Sequence, residues 1–163
     1  MTRDEVLERL ASSRAVFAQK LALVPRAALE VPVPGSTHSV KDIVFHVSAY
    51  DDLVVLRLIA ARAGITTQFD RDRDGYEVFN ERVWGEAAVI EPDDALARAD
   101  EVFTALVHEV GRLTDGELEA ATGATSALDP AWLQGQAPWE PLAMDCWDHY
   151  PMHYAALDAA KGL

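Results

Sequence analysis

Residues 39–64, "SVKDIVFHVSAYDDLVVLRLIAARAG", constrain the fold more than any other stretch. They contain no proline, Ser39 suits an N-cap, Asp42 falls in the first turn and Gly64 suits the stop. Val40, Ile43, Val44, Val47, Val54 and Leu58 recur at helical spacing. A helix of this length is roughly 35 Å long. It can bury an apolar face only against partners of comparable length. His46 falls on the flank of that face, with Asp42 one turn before it.

The rest of the chain supplies such partners. Thr2 and Glu5 have capping-box spacing, and Val6, Leu10, Phe17, Leu21 and Val24 continue a helix over 3–24, ended by Pro25. "PRAALEVPVPGSTH" reads as an extended connection. "YEVFNERVWGEAAV" predicts a shorter helix over 76–88. Pro92, followed by Asp93 and Asp94, opens a helix whose buried stripe is Phe103, Leu106, Val107, Val110 and Leu113. Residues 114–140 form a long connection with one turn at "DGELEA"; the loop proper, 119–138, has the length of a lid and ends among Trp132 and Trp139. Pro141 opens a last helix that runs to about Lys161. No convincing alternating strand exists. The expectation is an all-α four-helix bundle, one domain over 1–163, with an inserted short helix and a long loop before the last helix.

Charge and cysteine content bear on partners and compartment. With 27 acidic against 14 basic residues the net charge is −13, which argues against nucleic acid and against an anionic membrane surface as partners. Cys146 is the only cysteine, so no disulfide framework is available and a reducing cytosol fits. The charged, periodic N-terminus is unlike a signal peptide, and no run approaches 18 apolar residues. A soluble cytoplasmic protein is expected.

"DRDRDGYEVFNE" matches an EF-hand loop through Asp70, Asp72, Asp74, Gly75 and Glu81. The eighth position, normally apolar for pairing with a second loop, is Glu77, and the chain has no second loop. Arg71 and Arg73 dilute the negative field, and "GITTQ" interrupts the incoming helix. Asp74 as the N-cap of the next helix, with Glu77 completing a capping box, explains the pattern without calcium.

Of the five histidines, His38 precedes the Ser39 cap and His108 falls on a polar face, and neither suggests a function. His149 and His153 are an i, i+4 pair, which places two imidazoles one turn apart on one face. Residue 150 is Tyr, so the pair is not an HExxH protease motif. With His46 the set becomes three neutral imidazoles, suited to Zn²⁺, Ni²⁺ or Fe²⁺ with positions left open for water or substrate. Three separately satisfied, half-buried histidines are the alternative.

Pro151 stands between the pair and removes a helical bond to the carbonyl of Trp147. Either the last helix begins at Pro151, or it runs from Pro141 with a kink near Trp147; the apolar pattern from Leu142 to Trp147 favours the kink. Tyr50, Trp147, Asp148 and Tyr150 are near the histidines in sequence, and Asp42 could orient the ring of His46. Plain core packing explains the aromatics equally well. Cys146 fits a small buried hydrophobe better than a fourth ligand.

"SVKDIVFHVSAYDD", "FNERVW" and "DHYPMHY" together resemble the DinB/YfiT-like superfamily of four-helix bundles, nearest its ClbS/DfsB-like branch. The resemblance covers nearly the whole chain in element order. It implies a three-histidine metal site with one ligand from the second helix and two from the last, here His46, His149 and His153. It also implies a metal-dependent enzyme acting on a small reactive molecule, either a thiol-dependent transferase or isomerase using a low-molecular-weight thiol, or a protective hydrolase. Asn80 and Trp84 of the FN-containing helix become pocket candidates, and a homodimer is expected. Non-catalytic sequestration of a toxic or stress-related molecule in the same pocket is the competing function. A bundle with incidental histidines is the third possibility. Two departures stand out: His38 lies near where many members have Trp, and Pro151 interrupts the histidine pair.

Overall fold

The computed structural model describes residues 1–67, 69, 75–119, 133 and 135–163. Among these, seven α-helices follow one another: α1 Arg3–Leu21, α2 Val40–Arg62, α3 Tyr76–Ala87, α4 Pro92–Gly111, α5 Asp115–Glu119, α6 Trp139–Asp145 and α7 Tyr154–Ala160. Short 3-10 turns occur at Arg26–Ala28 and Tyr150–His153. The fold is all-α, a four-helix bundle made by α1, α2, α4 and the interrupted C-terminal run from α6 to α7. The short helix α3 is inserted against α2, and "DGELEA" forms α5. No helix of the described residues is long and apolar enough to cross a membrane.

The helix ends follow their local chemistry. Both capping boxes close: the Glu5 amide donates to Thr2 Oγ1 while the Thr2 amide donates to the Glu5 carboxylate, and Ser39 and Asp42 do the same at the start of α2. Gly64, at φ +68°, ends α2. There the Ile65 amide reaches the Ala60 carbonyl and the Gly64 amide the Ala61 carbonyl, a Schellman arrangement. Helix α1 stops at Leu21 rather than residue 24, because the chain must leave α geometry before Pro25. Gly75, not Asp74, is the N-cap residue of α3. Asp70, Asp72, Asp74, Trp132 and most of the 119–138 loop lie outside the described residues.

Helix α2 is the central element and is buried nearly all round, not along one stripe. It packs on α3, α4, α6 and α7, so every face except that bearing Leu56 and Ile59 is covered. The buried face of α4 is Ala95, Ala99, Val102, Leu106 and Val110, rotated from the expected stripe, with Phe103 and Val107 only half-buried. The small side chains of Ala95 and Ala99 allow α4 to lie close against α2 at that end. The core divides between the Leu10, Leu58, Leu106 and Leu142 end and the Phe17, Val44, Ala99 and Leu157 end, with Phe45, Leu53 and Phe79 joining α2 to α3.

The largest correction concerns the last helix. It is not one rod kinked near Trp147: α6 ends at Asp145, the chain breaks at Cys146 (φ −118°, ψ −94°), and helix resumes only at Tyr154. Pro151 leaves the Trp147 carbonyl without a helical donor. The hydroxyl of Ser13, on α1, donates to that carbonyl at 2.9 Å. The phenol of Tyr150 donates to Asp51 of α2 at 2.6 Å. Ser13 thus supplies a donor that the broken helix lacks at Trp147, and Asp51 anchors the segment to α2 through the Tyr150 side chain.

Candidate metal centre

The segment pinned in this way carries two of the three histidines. His149 Nε2 lies 3.2 Å from Nε2 of His46 and 3.1 Å from Nε2 of His153. Ligand atoms of all three rings lie within 4.8 Å of one another, with His46 and His149 buried and His153 half-buried. The pair converges although the chain between them is a 3-10 turn, not α-helix. An ion held at about 2.1 Å by cis imidazole nitrogens spaces them about 3.0 Å apart in octahedral and about 3.4 Å in tetrahedral geometry. The two separations from His149 fall between those values, and the third pair, His46 and His153, lies within 4.8 Å, a spacing that could hold a first-row divalent ion.

The electrostatics agree. Burial, then the rings of His149, His153 and His38, push the imidazole of His46 down to about 3. Burial and His153 push His149 down to about 4, against a weak opposing pull from the Asp145 carbonyl. Burial also lowers His153. All three rings are therefore neutral at pH 7, the form that ligates. Nδ1 of His46 and of His149 are buried and lack hydrogen-bond partners. The ring of His46 lacks the carboxylate or carbonyl bond that usually holds a ligating imidazole, whereas His149 has the Asp145 carbonyl beside it.

Aromatic rings surround the cluster instead. Tyr50 lies one turn after His46 on α2, with ring centroids 5.1 Å from His46 and 4.4 Å from His149. Its hydroxyl donates to Asn80 Oδ1 at 2.9 Å, and burial pushes it up to about 12, so it remains a donor. Trp84, one turn after Asn80 on α3, stacks on His46 at 4.1 Å and 7°. Beyond Tyr50, Tyr76 stacks on its ring and meets the buried Arg57–Asp145 ion pair (2.9 Å), which ties α2 to the end of α6.

Several expected neighbours stand elsewhere. Asp42 is engaged with Ser39 and Lys41 at the start of α2 and makes no bond to His46. Trp147 packs in the core with Val6 and Leu10, and Tyr150 packs on Phe17 with its hydroxyl on Asp51. Asp148 is exposed. Cys146 is fully buried beside Asp51, and burial pushes its thiol up, so it behaves as the small core residue expected. A cavity of about 440 Å³, lined by Leu53, Leu56, Val78, Phe79, Arg82 and Arg98, lies against a different face of α3 from Asn80 and Trp84.

Two participants escaped the sequence reading. His38 stacks on Trp84 at 3.9 Å and 14°, brought there by a tight turn at Gly35 (φ +80°) and a bridge between Pro32 and Ser39. Asp51 is fully buried. Burial raises its carboxyl to about 7 against the lowering effect of the Tyr150 hydrogen bond. Asp51 did leave a signal. It interrupts the face Val44, Val47, Val54, Leu58 at a position where helical spacing calls for an apolar residue.

No family model matches the chain, and no curated protein matches it. Solved structures do. An uncharacterised protein from Escherichia coli UTI89 is 15% identical, with TM-score 0.82 over 99% of this chain and 94% of that one. The colibactin self-resistance protein ClbS, solved in complex with dsDNA, is 16% identical, with TM-score 0.79 over 96% of this chain and 93% of that one. A Streptococcus pneumoniae protein is 9% identical, with TM-score 0.73 over 96% and 88%. The dsDNA in the ClbS structure runs against excluding nucleic acid on charge. Net charge is a sum over the whole chain and does not describe any single face. At these identities the likeness is one of fold: the chain has the all-helical fold of ClbS and of the Escherichia coli and Streptococcus pneumoniae proteins.

Proposed function

We propose that the chain belongs to the DinB/YfiT-like superfamily, in its ClbS/DfsB-like branch, and is a metal-dependent enzyme acting on a small reactive molecule. The observation that carries this reading is the convergence of Nε2 of His46, His149 and His153 from two separate elements. These three residues would hold a Zn²⁺, Ni²⁺ or Fe²⁺ ion, leaving positions for substrate. Such an ion, when bound, polarises a carbonyl or makes a bound water or thiol acidic.

The protein's own groups limit the chemistry. Tyr50, held by Asn80 and protonated at neutral pH, offers a hydrogen-bond donor beside His149. Trp84 covers the ring of His46. Cys146 is buried away from the cluster with its thiol pushed up, so it is no nucleophile. A transferase of this design takes its thiol from solution; a hydrolase uses water. Sequestration without turnover is the second reading, supported by the likeness in fold to ClbS, a colibactin self-resistance protein.

The test is turnover of small electrophiles by metal-loaded protein, with and without a low-molecular-weight thiol, against His149→Ala. Metal-dependent turnover lost in the variant supports the enzyme. Stoichiometric binding of the electrophile without turnover favours sequestration.

A further inference from the structure

His46 is the ligand whose orientation the hydrogen bonds leave unexplained. Its Nδ1 is buried and unpartnered, and Asp42, one turn away, is committed to the helix cap. What the ring does have is a face. Trp84 lies 4.1 Å from it at 7°, and His38 lies 3.9 Å from Trp84 at 14°. Two near-parallel rings this close to one indole cannot share a face without overlapping, so Trp84 is sandwiched between them. His38 therefore sits on the far side of Trp84 from the metal cluster and cannot itself ligate there.

We infer that His38 and Trp84 are positioning residues for His46: the stack His38–Trp84–His46 fixes the imidazole plane in place of the missing hydrogen bond, so that Nε2 points at Nε2 of His149. The inference rests on the three-histidine metal reading. It explains why the turn before α2 is built as it is. Gly35, in the left-handed region, reverses the chain, the Val33 amide bonds the His38 carbonyl at 2.9 Å, and the His38 amide bonds Ser36. Residue 38 is thereby held against α3, not released into solvent. It follows that an aromatic ring, and not the acid–base chemistry of imidazole, is what position 38 requires.

The experiment compares wild type, His38→Ala and His38→Phe in two measurements. Co²⁺ titration, followed by visible absorption, reads affinity at the cluster. An aromatic stack contributes roughly what a two- to tenfold change in affinity represents. His38→Ala is expected to weaken Co²⁺ binding by about that factor, and His38→Phe to restore it. In metal-free protein, the imidazole protons of His46 feel the ring current of Trp84. Their upfield shifts are expected to persist in wild type and His38→Phe and to diminish in His38→Ala. His38→Ala indistinguishable from wild type in both measurements overturns the inference. So does His38→Phe behaving like His38→Ala, because the ring would then not be what matters. Wild type that takes up no Co²⁺ would defeat the metal reading, and the metal-free shifts would still decide the stack.

Discussion

Asp51 is the residue whose replacement tells most about how this core is built. Its carboxyl is fully buried in α2, accepts a bond from Tyr150, and is raised to about 7 from an ordinary value near 3.8, with burial the leading cause. The sign follows from which state holds the proton. Between pH 3.8 and 7 the folded chain keeps a proton that the unfolded chain releases, so the stability is fully present below the unfolded value and is lost as pH rises through the folded one. The whole shift is worth at most about 4 kcal/mol, and the part between pH 5 and pH 8.5 about 3 kcal/mol. Asp51→Asn keeps the volume and the acceptor for Tyr150 but cannot ionise. It should therefore stabilise the protein more at pH 8.5 than at pH 5, by about 3 kcal/mol. Urea unfolding of both proteins at both pH values measures this, and the wild-type reference cancels every other titrating group. A difference between the two proteins that is flat across the window would refute the claim that burial raises the Asp51 carboxyl.

Other expectations follow from the same contacts. The depressed values of His46 and His149 act in the opposite sense: metal-free protein should lose stability as pH falls from about 6.5, by up to about 2 kcal/mol per ring at pH 5, and His149→Gln should flatten that slope in urea curves run with a chelator. Ser13→Ala should cost about 1 kcal/mol because the Trp147 carbonyl loses its donor, and less in a Pro151→Ala background, where residue 151 regains an amide; a double-mutant cycle reads the coupling. Arg57→Met should destabilise by on the order of 3 kcal/mol, since it removes the guanidinium from the buried ion pair with Asp145; thermal or urea unfolding checks it.

The elements that local chemistry specifies were legible in the sequence. The Thr2–Glu5 capping box, the Ser39 cap, the Gly64 stop and the Pro92 start all appear where the residues require them, because each depends on contacts within one turn, whereas the cap expected at Asp74 gives way to Gly75. What the sequence concealed depends on contacts between elements. The break at Cys146 is stabilised by Ser13, well over a hundred residues away in the chain, so the proline alone could not distinguish a kink from a rupture. The burial of α2 on nearly every side comes from four partners, which a single apolar stripe does not reveal. His38 reaches Trp84 only because a left-handed glycine folds the segment before α2 back. The three ligand candidates themselves were readable from spacing and family resemblance. The support around them was readable only in part: Tyr50, Asn80 and Trp84 are at hand, while Trp147 and Tyr150 face the core.

The central claim is that His46, His149 and His153 form one metal centre. Equilibrium dialysis of tag-free protein against Zn²⁺, Ni²⁺ and Fe²⁺, followed by elemental analysis, tests it most directly when repeated with each histidine changed singly to alanine. The account predicts one tightly held ion per chain in wild type and loss of that ion in all three variants. Wild type without a stoichiometric ion, or retention of the ion in His149→Ala, the residue whose Nε2 touches both other rings, would contradict it.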